Sequence, residues 1–216
     1  MTSAPRTLRL AVLFSGGGRT VLNLMDRIDD ASLPATIVSA IASRDCAGIK
    51  RIESRGVDVR LAADDQFAND DLLHATITHW LREADVDLIC LCGYLRWFQV
   101  NPHDRHRVIN IHPALLPAFG GKGMYGMRVH RAVLDAGAVE TGCTVHFVDD
   151  IYDHGPTILQ RRCPVLPDDD PQAIADRVFE LECTTYPDAI RLFAEDRIRV
   201  EGGVVRIVDE NVPKTS

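Results

Sequence analysis

Val108-Ile109-Asn110-Ile111-His112-Pro113-Ala114-Leu115-Leu116-Pro117 is the stretch on which the reading of this chain turns. An apolar run carries an amide and an imidazole two residues apart and is then stopped by proline. Side chains alternate along a strand, so Asn110 and His112 are expected to project from one face at its end. Pro113 has no N–H for a ladder and biases His112 toward extended geometry, which marks a strand terminus. An amide donor beside a titratable imidazole suits a reaction in which an oxygen gains charge while a proton moves. The alternative is a buried Asn and His satisfied by neighbouring backbone.

Outward from this strand, β-rich runs alternate with helix-like segments. Strands are expected at 8–14, 36–42, 57–61, 88–91 and 108–111, with helices at 21–28, 47–55 and 70–83 between them. Near-continuous apolar strands separated by helices point to a parallel sheet covered by helices. The second half changes character: strands at 142–148 and 157–165 flank a turn-rich loop at 149–156. Asp168-Asp169-Asp170-Pro171 is a helix start, with acids favourable at a helix N-terminus and proline tolerated in its first turn. That helix should run from 171 to about 194, with Pro187 kinking or interrupting it. A hairpin about Gly202-Gly203 follows, then a frayed tail at 211–216. The fold class is therefore α/β: an open, mostly parallel, Rossmann-like sheet flanked by helices, with an antiparallel C-terminal portion, in one domain of residues 1–216.

The chain has 216 residues, 46% apolar and 25% charged, enough to bury a sizeable core. Its formal charge of −7 offers no basic footprint for nucleic acid, and no run is apolar and long enough to span a bilayer. The start, Met1-Thr2-Ser3-Ala4-Pro5-Arg6, lacks the pattern of a signal peptide, so a cytoplasmic location is expected. Cys46, Cys90, Cys92, Cys143, Cys163 and Cys183 include no C-x-x-C pair; reduced thiols and no metal site are expected.

Three further groups bear chemistry. Ser15-Gly16-Gly17-Gly18-Arg19-Thr20 lies between the first strand and the first helix, where glycines let backbone N–H groups approach an anion. It is neither a Walker A loop nor a dinucleotide fingerprint, and a plain tight turn is the alternative. Gly93-Tyr94-Leu95-Arg96-Trp97-Phe98 follows the fourth strand, at the sheet end where α/β proteins bind ligands; its exposed-looking aromatics suit a flat ligand, and a packed loop is the alternative. His146 to Pro156 holds Asp153 in a loop bounded by glycine and proline. An Asp153–His112 pair would favour the imidazolium and supply a proton donor near neutral pH. His146, inside a strand, reads as a structural residue near the site.

At these residues the chain resembles the phosphoribosylglycinamide (GAR) formyltransferase family, within the folate-dependent formyltransferase fold. The resemblance runs from about residue 8 to 200. It rests on the Ser-Gly-x-Gly loop, Gly93-Tyr94-Leu95-Arg96, Asn110-Ile111-His112-Pro113-x-Leu115-Leu116-Pro117, Gly142 to Asp149 and Asp153-x-Gly155-Pro156. Arg177-Val178, Glu182 and Tyr186-Pro187 match the family's C-terminal helix. The resemblance implies formyl transfer from 10-formyltetrahydrofolate, a co-substrate, to the amine of glycinamide ribonucleotide in purine synthesis, without a metal. Asn110, His112 and Asp153 then take the catalytic positions. Gly16, Gly17, Gly18, Arg19 and Thr20 would cradle the ribonucleotide phosphate, and Glu182 its ribose. Leu95, Arg96, Trp97, Phe98 and Asn110 would line the folate pocket with Asp149, Asp150, Ile151, Tyr152 and Asp153. Residues 1–110 would form the nucleotide-phosphate half and 111–210 the folate half. The partners implied are small molecules, not nucleic acid or membrane.

Three departures bear on the acceptor and the folate tail. Arg19-Thr20 stands where the family usually has Ser-Asn, Phe67-Ala68-Asn69-Asp70 lacks a family arginine, and the loop from Phe119 to Gly126 is rich in glycine. The competing readings are a formyltetrahydrofolate hydrolase, with water as acceptor, and a formyltransferase acting on another amine such as an amino-sugar nucleotide. A methionyl-tRNA formyltransferase would need an RNA-binding surface. A non-catalytic nucleotide-binding module is the reading from a different class.

Overall fold

A computed structural model describes residues 6–209, which fall into two compact units, 8–111 and 112 onward. The N-terminal Met1 to Pro5 and the tail at 211–216, for which a leaderless start and fraying were expected, lie outside the described residues.

The first unit holds β1 (Leu8–Phe14), α1 (Arg19–Asp29), β2 (Ala35–Ala42), α2 (Ala47–Glu53), β3 (Val59–Leu61), α3 (Asp70–Glu83), β4 (Leu88–Leu91) and most of β5 (Val108–His112). The strands run in the order β3-β2-β1-β4-β5, every pair parallel. β1 is central, and Leu10 to Phe14 are fully buried, which is why these strands read as apolar runs without alternation. Leu13 registers with Leu91, and Leu91 with Asn110, so the carboxyl ends of β1, β4 and β5 lie at one level. The loops after β1 and β4 therefore leave the same end of the sheet. Asn69, in the segment that lacks the family arginine, caps α3 by accepting from the Leu72 N–H at 2.9 Å.

The second unit holds α4 (Met127–Asp135), β6 (Glu140–Phe147), β7 (Thr157–Pro164), α5 (Pro171–Ala194), β8 (Ile198–Glu201) and β9 (Val204–Ile207). β6 and β7 are antiparallel, α5 packs on both, and α4 packs on α5. β8 and β9 form the expected hairpin, with Gly202 and Gly203 at φ 58° and 79°. The architecture is thus the α/β arrangement anticipated, with a mostly parallel sheet and an antiparallel C-terminal portion.

Two expectations need correction. Pro187 does not interrupt α5, which runs as one helix of 24 residues. Tyr186, Pro187, Ala189 and Ile190 are all buried, and their packing holds the helix through the missing backbone donor. The helix α4 was not anticipated; it is nine residues long and buries Val129, His130 and Val133. All six cysteines are free thiols. Among the described residues no helix is long and apolar enough to cross a membrane.

Asp170 caps α5 through the Ala173 N–H at 2.7 Å. Replacing it, Asp170→Ala, is expected to remove about 1 kcal/mol of stability, read as a lower urea midpoint at unchanged slope.

Candidate active site

In the second unit, three groups from separate segments converge. His112, the last residue of β5, is 3% exposed and places Nδ1 3.4 Å from Oδ2 of Asp153. His146, in β6 and 2% exposed, places Nε2 3.6 Å from Oδ1 of the same carboxylate. Asp153 adopts a left-handed φ of 54°, which aspartate tolerates better than most residues, and so turns its side chain back beneath the loop. Gly155 makes this return possible, because a Cβ there would run into the Phe147 carbonyl. Thr144, fully buried, donates to the Ala114 carbonyl at 2.7 Å and accepts from the Leu116 N–H at 3.1 Å, fixing the turn that follows His112. Gln160 adds bonds to Thr144 Oγ1 at 2.9 Å and to the Leu116 carbonyl at 3.0 Å.

The protons of this cluster follow from its acceptors. His112 Nε2 lies 2.8 Å from the Phe119 carbonyl, and His146 Nδ1 lies 2.7 Å from the Phe147 carbonyl. A carbonyl oxygen only accepts, so each of these nitrogens carries its hydrogen. The remaining nitrogen of each ring faces the carboxylate. Two neutral imidazoles would then present only lone pairs to Asp153, an acceptor-to-acceptor arrangement. One additional proton shared among the three groups relieves it.

Burial pushes the His112 imidazole below its ordinary range, and the neighbouring His146 adds to this, outweighing the Asp153 carboxylate and the Phe119 carbonyl that favour its charged form. The expectation that Asp153 alone makes His112 a donor near neutrality is corrected accordingly: the carboxylate acts in the right direction, but desolvation is larger. Burial would raise Asp153, yet the His146 contact, the His112 charge and the Gly121 N–H together bring it below the usual carboxylate value. Burial thus favours the neutral His112 ring, while the contacts around Asp153 favour its ionised form.

His146 was read from the sequence as a structural residue near the site, and its ring lies against the Asp153 carboxylate. Sequence alternation gave its strand but not the loop folded against it. His130 on α4 also escaped notice. It is 4% exposed, and its Nδ1 has no hydrogen-bond partner among the described residues. Burial holds it below the ordinary histidine range, the His112 charge adds to this, and Asp176 opposes it.

The remaining folate-pocket candidates of this unit lie along the loop after β6. Ile151 is 58% and Tyr152 37% exposed, and Asp150 is exposed. Asp149 accepts from the Ile151 N–H at 2.9 Å and pairs with His154 at 2.8 Å. Glu182 is half-buried on α5.

In the first unit, Asn110 is half-buried on β5 two residues before His112, so strand alternation gives both the same side. The loop after β1 has its carbonyls consumed: Ser15 by Arg44 Nε at 2.7 Å, Gly16 by the Gly48 N–H at 3.1 Å and Gly17 by Arg51 at 3.1 Å. Gly18, at φ 72°, starts α1 without any side-chain cap, and no acid occupies the first turn. Gly48 cannot bear a side chain, since a Cβ would meet the Gly16 carbonyl at 2.5 Å. The loop thus turns its carbonyls toward α2 and leaves an uncapped helix start, the arrangement that suits an anion. Gly16 is half-buried, Gly17 and Arg19 are exposed, and Thr20 is half-buried. Arg44 and Arg51 were missed; no local pattern marks them, since Arg44 stands alone after β2 and Arg51 lies on α2.

The loop after β4 is partly packed, the alternative its sequence left open. Tyr94 and Phe98 are 8% and 6% exposed and meet edge to face at 6.4 Å, so they are core rather than ligand surface. Leu95 is 41% exposed and Trp97 half-buried. Arg96 is held by the carboxylates of Asp64 and Asp70, the latter at 3.1 Å. The Leu95 N–H donates to Ser15 Oγ at 2.8 Å, tying this loop to the glycine loop.

Comparison with known proteins identifies the family. The formyl transferase family profile matches residues 8–190. The chain belongs to the formyl transferase family. Phosphoribosylglycinamide formyltransferase of Arabidopsis thaliana chloroplasts is 36% identical over 214 residues, 97% of this chain and 73% of the relative. The enzyme of that name from Haemophilus influenzae is 30% identical, across 96% of this chain and 97% of the relative. Glycinamide ribonucleotide transformylase 1 of Symbiobacterium toebii superposes with a TM-score of 0.88 at 35% identity, covering 96% of this formyl transferase and all of that chain.

Removing the carboxylate charge removes a contribution that raises His112. In Asp153→Asn the His112 ring is therefore expected to titrate at lower pH than in the parent protein, measured by NMR of its ring carbons.

Proposed function

We propose that this formyl transferase moves the formyl group of 10-formyltetrahydrofolate to the amino group of glycinamide ribonucleotide, a step of purine synthesis. The observation that carries the chemistry is the buried carboxylate of Asp153 between His112 and His146 at the end of the Asn110-x-His112 strand. Relatives named for this activity, matched over nearly their whole length, support the choice of acceptor.

The substrate amine attacks the formyl carbon directly, so no protein nucleophile is required. Attack places negative charge on the formyl oxygen. The Asn110 amide is the donor assigned to that oxygen, and a donor held in a site shielded from water contributes more than the same donor in water. The intermediate collapses when the folate nitrogen leaves with a proton. The His112–Asp153–His146 cluster, which needs one shared proton to satisfy its own acceptors, is the assigned source, directly or through a water. The proton lost by the attacking amine restores it. Asp153 acts by holding the pair in register, and the protein gains further acceleration from placing amine and formyl carbon together.

The uncapped start of α1 after Gly16, Gly17 and Gly18 is assigned to the ribonucleotide phosphate, with Arg19 and Thr20 at its rim. Glu182 is assigned to the ribose. Leu95, Trp97 and the loop from Asp149 to Asp153 are assigned to the folate ring. Arg96 contributes there only as a strut, because two carboxylates already hold it.

The test is steady-state release of tetrahydrofolate from 10-formyltetrahydrofolate with glycinamide ribonucleotide present or absent. Release that depends on the amine supports transfer; equal release without it assigns water as acceptor. Asn110→Ala and His112→Ala are each expected to lower kcat by roughly 10²-fold or more, and a parental rate in either refutes that residue's role.

A further inference from the structure

One short peptide, Phe119-Gly120-Gly121, grips both members of the His112–Asp153 pair. Its Phe119 carbonyl accepts from His112 Nε2 at 2.8 Å, and its Gly121 N–H donates to Asp153 Oδ2 at 2.9 Å. That same Oδ2 faces His112 Nδ1 at 3.4 Å, so peptide, imidazole and carboxylate close a ring of contacts. Phe119 and Gly121 lie in the left-handed region, at φ 56° and 97°, a conformation costly for phenylalanine. Gly120 between them does not have a positive φ, so its backbone would suit any residue. Space alone singles it out: a Cβ there would lie 3.2 Å from Asp153 Cβ and 2.5 Å from Leu116 Cδ2. The leucine end can swing away. Asp153 Cβ cannot, being fixed by its own backbone.

We propose that the Phe119-Gly121 peptide is the positioning element of the catalytic pair, and that Gly120 is the residue whose missing side chain lets it reach them. This rests on the reading of His112 and Asp153 as catalytic. A side chain at 120 pushes the peptide off Asp153 and lengthens both hydrogen bonds at once. The consequence has a signature that simple loosening lacks. The Gly121 N–H lowers Asp153, and the Phe119 carbonyl raises His112. Losing both moves the carboxylate up and the imidazole down. Other groups facing the pair are His146 from β6 and His130 from α4, with Asp176 of α5 beyond it, and none is altered by the substitution.

The experiment compares the pH profile of kcat for the parent protein and Gly120→Ala, with both substrates saturating. The active form needs ionised Asp153 and a protonated cluster, so the profile is bell-shaped and should narrow from both sides in the variant. The expected kcat loss is about tenfold or more, with KM for each substrate within about twofold. A bell of unchanged width, or an unchanged kcat, overturns the proposal. Should Gly120→Ala not fold, the double variant Leu116→Ala with Gly120→Ala removes the leucine overlap and keeps the Asp153 contact. A second measurement needs neither variant nor turnover. The Gly121 amide proton of the parent protein should shift as Asp153 titrates, while the Gly123 amide does not. A Gly121 amide indifferent to that titration overturns the proposal. Absence of formyl transfer in the parent protein would refute the functional reading alone.

Discussion

A largely buried carboxylate between two imidazoles is the constraint around which the second unit is organised. An ionised carboxylate removed from water is costly unless charge or donors meet it, and Asp153 is met from three sides by His112, His146 and the Gly121 N–H. Each of those donors imposes a local condition on the chain. Asp153 must adopt a left-handed backbone, Gly155 must lack a side chain, and Gly120 must lie close enough for its neighbours to reach both partners. Thr144 and Gln160 then lock the turn between His112 and that peptide. Loosening any one of these exposes the carboxylate or leaves a ring nitrogen unpaired.

The same cluster explains why a histidine that burial drives toward neutrality can still serve proton transfer. His112 in isolation would lose its proton in this environment. The geometry denies both rings a neutral arrangement compatible with an ionised Asp153, since each ring's other nitrogen is committed to a carbonyl. In the proposed transfer, a proton shared by these groups is the one passed to the departing folate nitrogen. The glycine loop of the first unit solves the reverse problem. Three consecutive carbonyls would repel an anion, and Arg44, Gly48 and Arg51 take up all three. What remains toward solvent is the amide-rich start of α1.

The legible parts of the site were those encoded by local rules. Asn110 and His112 share a face because strands alternate, and Pro113 fixes where that strand stops. The Asp168-Asp169-Asp170-Pro171 start and the Gly202-Gly203 turn were legible for the same reason, since capping and positive φ depend on neighbours in the chain. The unread parts depend on partners far away. His146 looks like any buried strand histidine until the loop carrying Asp153 folds back on it. Tyr94 and Phe98 look like exposed loop aromatics until they pack edge to face. Pro187 reads as a breaker because its backbone defect is local, whereas the burial that offsets it comes from other elements. His130 sits on a helix too short and mixed in pattern to announce itself.

By itself, the sequence determined the order of the strands and of every helix but α4, the parallel character of the first half, and the strand end bearing Asn110 and His112, together with the motifs that mark the formyl transferase family. Periodicity and turn chemistry are properties of neighbouring residues, so one chain read once suffices for them. Only the tertiary structure decided that His146 joins the pair, that Arg96 is already held by acids, that Arg44 and Arg51 turn the glycine loop's carbonyls aside, and that Gly120 brings the Phe119-Gly121 peptide against His112 and Asp153. Those outcomes depend on distances between segments tens of residues apart, and on how much water folding removes from each group. Neither quantity is written in any local stretch of the chain.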